Sequence, residues 1–172
     1  MALDPIQREV VRAAPEKFRI LLYRRMMLRI AERVARQERA LALITGDSLG
    51  QVASQTLQNM VAVGDATRMP VFRPLAGTDK LEIMAQARAI GTYNTSAEPF
   101  HDCCPIFLPR NPALHATPRQ LDAIESGLDV GTLVRDAVRG ASLERFRYVK
   151  GRVEEEAVAP KRVPANIAAQ VA

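Results

Sequence analysis

The chain has 172 residues, 48% of them hydrophobic, and a formal net charge of +5. That length suits one domain with a sizeable core, and no apolar run approaches the roughly 20 residues that span a bilayer. Its only cysteines are the adjacent Cys103 and Cys104, which excludes a disulfide framework and the paired spacing of a zinc site. Without a secretory apolar segment at the N-terminus, the expected location is the cytoplasm, with no membrane contact. The basic balance favours a polyanionic partner such as RNA without identifying one.

Asp4-Pro5 is a good helix start, and Ile6, Val10 and Val11 give that helix an apolar side before Ala14-Pro15 interrupts it. A longer helix is expected over residues 16–37. With residues placed about 100° apart, Ile20, Tyr23, Met27, Ile30, Ala31, Val34 and Ala35 share one face, and Arg25, Arg29, Glu32, Arg33 and Arg36 the other. Arg24 falls on the apolar face. A buried guanidinium needs an anionic or accepting partner, which can be a ligand phosphate, an internal carboxylate, or water reached by snorkelling.

Residues 40–44 (ALALI) read as a buried strand of a parallel sheet. The next stretch, residues 45–56 (TGDSLGQVASQT), reads as a strand-to-helix junction, with Ser48 and Gln51 as a capping box for a helix reaching about Met60. Gly46 would permit a tight turn or close ligand approach, and Gln51 and Gln55 would lie one helical turn apart. Helix N-termini suit anions, but an ordinary strand-to-helix turn uses the same residue types.

Beyond a loop at Gly64-Asp65, residues 70–75 suggest a second strand, and Thr78-Asp79 cap a helix that ends near Ile90 before Gly91. This alternation predicts an α/β fold with a right-handed crossover. Two strands are fewer than a complete doubly wound nucleotide domain contains, so part of the sheet would come from elsewhere. Residues 92–117 read mostly as a loop, in which His101, Asp102, Cys103 and Cys104 cluster. A reactive thiol and a structural thiol both fit that loop. A last helix is expected over residues 129–141, a strand or extended edge over 143–149, and a flexible tail over 150–172.

Several ordered blocks resemble the ThiI family of tRNA 4-thiouridine synthases, or tRNA sulfurtransferases. They are LYRRMMLRIA at residues 22–31, TGDSLGQVASQT at 45–56, PVFRPL at 70–75, DKLEI at 79–83, IGTY at 90–93 and HDCCPIF at 101–107. Asp47 stands where the family's usual residue is Glu. The resemblance implies that residues 1–149 are the C-terminal part of an adenine-nucleotide α-hydrolase-like, or PP-loop, domain: a partial parallel sheet with flanking helices. It implies a component or fragment of an enzyme that uses ATP, with magnesium, to activate uridine 8 of tRNA for 4-thiouridine formation.

On that resemblance Arg24, Gly46 and Gln55 match ATP-contacting positions, and Cys103 matches the thiol linked to sulfur transfer. His101 replaces the usual nearby acid. The implied partners are tRNA, a persulfide donor (a cysteine desulfurase or rhodanese-type carrier), and an upstream PP-loop/THUMP half or a second copy. No SGGxDS-type phosphate loop, THUMP region or rhodanese domain is recognisable here. Little activity is therefore expected of the chain alone, and the competing reading is a noncatalytic partner or RNA-interaction module.

Overall fold

The computed structural model describes residues 1–99 and 109–156. Helix α1 (Asp4–Ala13) has proline in its first turn and ends where Ala14, preceding Pro15, is extended. A single 3₁₀ turn at Glu16–Phe18 leads into α2 (Arg19–Gln37), the longest described helix. α3 (Leu57–Gly64), α6 (Pro118–Glu125) and α7 (Val130–Arg139) also pack on α2, as does α1. Ile6, Val10, Leu22, Tyr23, Met26 and Leu121 meet in the resulting core.

Being enclosed on several sides, α2 does not obey the one-face reading. Leu21, Leu22, Met26 and Leu28 are buried together with Tyr23, Ile30 and Ala35. The arginine assignment is reversed: Arg25, expected to face outward, has 2% of its side chain exposed, whereas Arg24 has 22%. Arg25 donates to Glu125 on α6 at 3.0 Å and to the carbonyl of Ala62 on α3 at 2.7 Å. It also bonds Asp122 on α6, and Arg29 grips both oxygens of Glu125 at 2.6 and 2.8 Å. A buried guanidinium is tolerable when its donors are taken up in this way. Burial alone would push the Glu125 carboxyl up, but bonds from Arg29 and Arg25 and their charges outweigh it, so it lies below its ordinary range.

Strands β1 (Leu43–Ile44) and β2 (Val71–Phe72) are parallel, with Leu43 opposite Val71 and Ile44 opposite Phe72. α3 lies between them in sequence, the expected strand–helix–strand unit of an α/β fold. The expectation of a buried β1 is not met: Leu43 packs against the core, but Leu41 is 88% and Ile44 74% exposed. A two-stranded sheet offers no second layer to cover them.

The expected capping box at Ser48 and Gln51 is also absent. The Ser48 hydroxyl donates to the Thr78 carbonyl at 3.0 Å, and Gly50 takes φ +76°, a turn conformation that favours glycine. The helix begins only at Leu57, after a 3₁₀ turn at Ala53–Gln55, with Thr56 as its cap. Gln51 and Gln55 therefore do not share a helix face.

Asp79 and Glu82 form a reciprocal capping box on α4 (Lys80–Ala89), and Gly91 follows with φ +77°. Among the described residues the expected loop contains one helix, α5 (Tyr93–Ala97), and just after the loop comes α6, whose Thr117 and Gln120 form another capping box. Asp129 caps α7.

β3 (Arg145–Val149) is the expected late strand, and it pairs antiparallel with β4 (Arg152–Glu156). Residues 150–156, the start of the expected tail, are not one: Lys150 and Gly151, both at positive φ, make a two-residue hairpin turn into β4. Residues 157–172 lie outside the described residues. No helix among the described residues is long and apolar enough to cross a membrane.

Candidate nucleotide site

The segment after β1 carries Asp47 into a buried position, 6% exposed, where donors from four places converge. Thr45 donates its hydroxyl to Asp47 at 2.9 Å, and the Gln55 amide donates at 3.3 Å. Arg73, just past β2, donates at 3.4 Å, and Arg24 on α2 pairs with the other carboxylate oxygen. Arg24 also donates to the Ser54 hydroxyl at 3.1 Å. Burial alone would raise the Asp47 carboxyl, but hydrogen bonds from Arg24, Thr45 and Gln55 and the charge of Arg24 hold it below the ordinary range.

The backbone holds this cluster in place. Leu49 N–H donates to the Ala76 carbonyl at 3.1 Å, tying the loop after β1 to the loop after β2. Gly50 N–H donates to the Gln55 carbonyl at 2.9 Å, closing the glycine turn onto the 3₁₀ turn.

Arg24 and Gln55, two of the expected nucleotide-contacting residues, therefore meet on one carboxylate. Gly46 lies between Thr45 and Asp47 on an exposed piece of backbone with open space where a Cβ would stand. It does not adopt positive φ; the left-handed turn in this stretch belongs to Gly50. Cys103, with His101, Asp102 and Cys104, lies outside the described residues. Among the described residues no group of three or more acidic, His or Cys side chains could hold a metal ion.

Two features suit an anionic, hydrogen-bonding ligand. Two guanidiniums on one carboxylate leave a surplus of positive charge. The Gln55 carbonyl oxygen is buried without a hydrogen-bond partner, although its amide nitrogen is committed to Asp47. An unsatisfied buried acceptor is costly and calls for a donor such as an amino or hydroxyl group. The residues present thus fit a nucleotide, with the arginines for phosphate and Gln55 for a donor on the base or sugar.

Sequence reasoning missed three contributors. Asp47 was noted only as a shortened acid, and Arg73 not at all. Asn59 on α3, 0% exposed, donates to the carbonyls of Ala53 at 2.6 Å and Ala113 at 2.8 Å, and accepts from Ala116 N–H at 2.8 Å. Thr56 adds a bond to the Leu114 carbonyl at 2.7 Å. Together they fix the chain that returns from the cysteine segment. An Asn placed inside an apolar helical pattern was the available signal for such a clamp.

A family model described as thiamine biosynthesis protein (ThiI) matches residues 1–130. The chain belongs to the ThiI family. A probable tRNA sulfurtransferase of Thermus thermophilus is 59% identical over 151 residues, covering 88% of this chain and 37% of the relative. One from Bacillus velezensis is 44% identical over 134 residues, covering 78% and 33%. A crystal structure of a 4-thiouridine synthetase–RNA complex with bound ATP superposes with a TM-score of 0.74 at 43% identity, covering 78% of this chain and 35% of that one. This ThiI-family chain thus spans about a third of the length of the curated relatives it matches. Its α/β architecture, with a short parallel sheet and flanking helices, is the expected one.

Proposed function

We propose that this chain is one part of a tRNA sulfurtransferase catalytic domain, supplying one wall of the ATP site used to activate uridine 8 for 4-thiouridine formation. The observation that carries the reading is the cluster on Asp47, in a family whose structural neighbour is a 4-thiouridine synthetase with RNA and ATP bound. ATP would supply the adenylyl group that turns the uridine carbonyl oxygen into a leaving group. Arg24 would hold phosphate, Gly46 would let the nucleotide approach the backbone, and the free Gln55 oxygen would accept from a base or sugar donor. Asp47 would keep Arg24 and Arg73 aimed at the same point. Magnesium would accompany the phosphates.

Cys103 would receive or relay the sulfur of a persulfide donor, a cysteine desulfurase or rhodanese-type carrier, as a thiolate. The partner would be tRNA, a polyanion of the class that the net charge of +5 favours, and the setting would be cytoplasmic. The phosphate-binding half of the site would come from an upstream PP-loop/THUMP half or from a second copy.

The test is thiolated nucleoside formed from ATP, magnesium, tRNA and a persulfide donor, with the chain alone and with a complementing half. Activity only in the complemented mixture is expected. Robust turnover by the isolated chain would overturn the partial-site reading, and no turnover in any combination would overturn the sulfurtransferase reading.

A further inference from the structure

The β3–β4 hairpin contributes little to the core. Its packing is mainly strand on strand, and Phe146, Tyr148 and Val153 are 60%, 75% and 68% exposed. A lone two-stranded hairpin is marginal in water and gains stability when one face is covered. The hairpin also lies beyond residues 1–130, the part of the chain that matches the family model.

Its sequence interleaves cations with rings, RFRYVKGR at residues 145–152. Strand alternation puts Phe146 and Tyr148 on one face, with Val153 opposite Tyr148 in register, and Arg145, Arg147 and Arg152 on the other. Register sets Arg145 and Arg147 opposite Glu156 and Glu154, whereas Arg152 stands opposite Val149 and Lys150 occupies the turn. The tip, residues 147–152, thus carries Arg147, Lys150 and Arg152 and no acidic residue.

We propose that this hairpin binds RNA as a single strand, with unpaired bases stacked on Phe146 and Tyr148 and phosphates met by Lys150 and Arg152 at the tip. The partner class rests on the tRNA reading above; the surface is separate from the Asp47 cluster. Residues two apart on a strand stand about 6.6 Å apart, close to twice the roughly 3.4 Å rise between stacked nucleotides, so consecutive bases can lie on and between the two rings. Bases inside a duplex already stack on one another, which selects unpaired nucleotides. A ribbon two strands wide lets RNA stacked on one face carry its phosphates round the edge and tip. An acidic protein segment would answer the cations but not the rings.

The test uses the whole chain near physiological salt, with a labelled single-stranded RNA about 12 nucleotides long and the same RNA annealed to its complement. Anisotropy should show the single strand bound at least about tenfold more tightly. Phe146→Ala and Tyr148→Ala should each weaken it by at least about fivefold, and Tyr148→Phe, which keeps the ring, should not. Lys150→Gln combined with Arg152→Gln removes two phosphate contacts and should flatten the dependence of log Kd on log salt by about 1.4. Arg8→Gln combined with Arg12→Gln, on the exposed side of α1, removes the same charge and should leave that slope unchanged. The chain has no tryptophan, so Tyr148→Trp installs a single indole whose emission should fall as bases stack on it.

Absence of RNA binding, equal affinity for the duplex, aromatic variants that bind like the parent, an unquenched indole, or equal slopes for the two cation pairs would overturn the proposal. Capture of a polyglutamate peptide as tightly as RNA would do so too, assigning the tip to an acidic protein. RNA bound at the hairpin with no thiolation in any combination would sink the sulfurtransferase reading alone. Thiolation that the hairpin variants leave untouched, with an unquenched indole, would sink the hairpin alone.

Discussion

Replacing Arg25 by Met tests how the interior of this chain is organised. The substitution keeps most of the stem volume but removes the donors on Glu125, Asp122 and the Ala62 carbonyl. Asp122 has 55% of its side chain exposed and can return to water, so it adds little. The Ala62 carbonyl belongs to a residue with 0% exposure, and losing its partner costs about 1–3 kcal/mol. Glu125 keeps Arg29 but loses one of its two arginines, worth roughly 1.5–3 kcal/mol for a charged hydrogen bond.

The total, about 2.5–6 kcal/mol, brackets the usual cost of breaking a buried ion pair, about 3–5 kcal/mol, and is a large fraction of a typical domain's stability. Arg24→Met should cost only about 1–2 kcal/mol, because Asp47 retains Thr45, Gln55 and Arg73. Urea unfolding of both variants beside the parent, followed by circular dichroism, reads the difference. Equal losses, or a larger loss for Arg24→Met, would refute the assignment of Arg25 to the core and Arg24 to the site.

Asn59→Ala should destabilise by about 2–4 kcal/mol, since it strands two carbonyls and one N–H, and should speed proteolysis around residues 109–117. A loss under about 0.5 kcal/mol would show that water replaces the amide. The carboxyls of Asp47, Glu125 and Glu32 all lie below their ordinary values when folded, so each contributes stability above its unfolded value that is lost as pH falls through the folded one. Urea midpoints should therefore hold from neutrality to about pH 5 and fall below about pH 4, with a shallower fall in Glu125→Gln. A decline between neutrality and pH 5 would contradict this. In a reconstituted enzyme Cys103→Ser should cut sulfur transfer by about a hundredfold or more while leaving adenylation intact, with a smaller effect from Cys104→Ser. Normal thiolation by Cys103→Ser would make that thiol structural.

Local signals carried much of the fold. Asp79 and Asp129 mark helix starts that the structure uses, because a cap is satisfied within a few residues and needs no tertiary partner, and Asp4-Pro5 marks one through the helical φ that proline brings to the first turn. The errors came where distant contacts decide. α2 is packed by helices on several sides, so an apolar-face count cannot tell which of two adjacent arginines meets the carboxylate of α6. Ser48 and Gln51 have the capping spacing, but the hydroxyl finds Thr78, thirty residues away, and Gly50 turns the chain out of helical geometry. Two missed elements did have readable signals: Thr117-Pro118 with Gln120 before α6, and Lys150-Gly151 between a strand bearing arginines and one bearing glutamates. At the site, the ordered blocks led to Arg24 and Gln55, while the convergence of four donors on Asp47 required the fold.

For the sulfur role proposed for Cys103, the clamp formed by Asn59 and Thr56 fixes one end of the covalent path to the thiol. Ala113 is held from both sides, its N–H on the Lys17 carbonyl at 2.9 Å and its carbonyl on Asn59 at 2.8 Å. It lies ten positions after Cys103, and at about 3.3–3.6 Å per residue covalent geometry bounds the separation at roughly 35 Å. Under the proposed role, sulfur carried there would act as a reagent joined to that anchor, with an effective concentration set by linker length and on the order of millimolar for a short linker. Longer leashes inserted between residues 108 and 113 should dilute that reagent step by step, and the rate of transfer would follow the dilution.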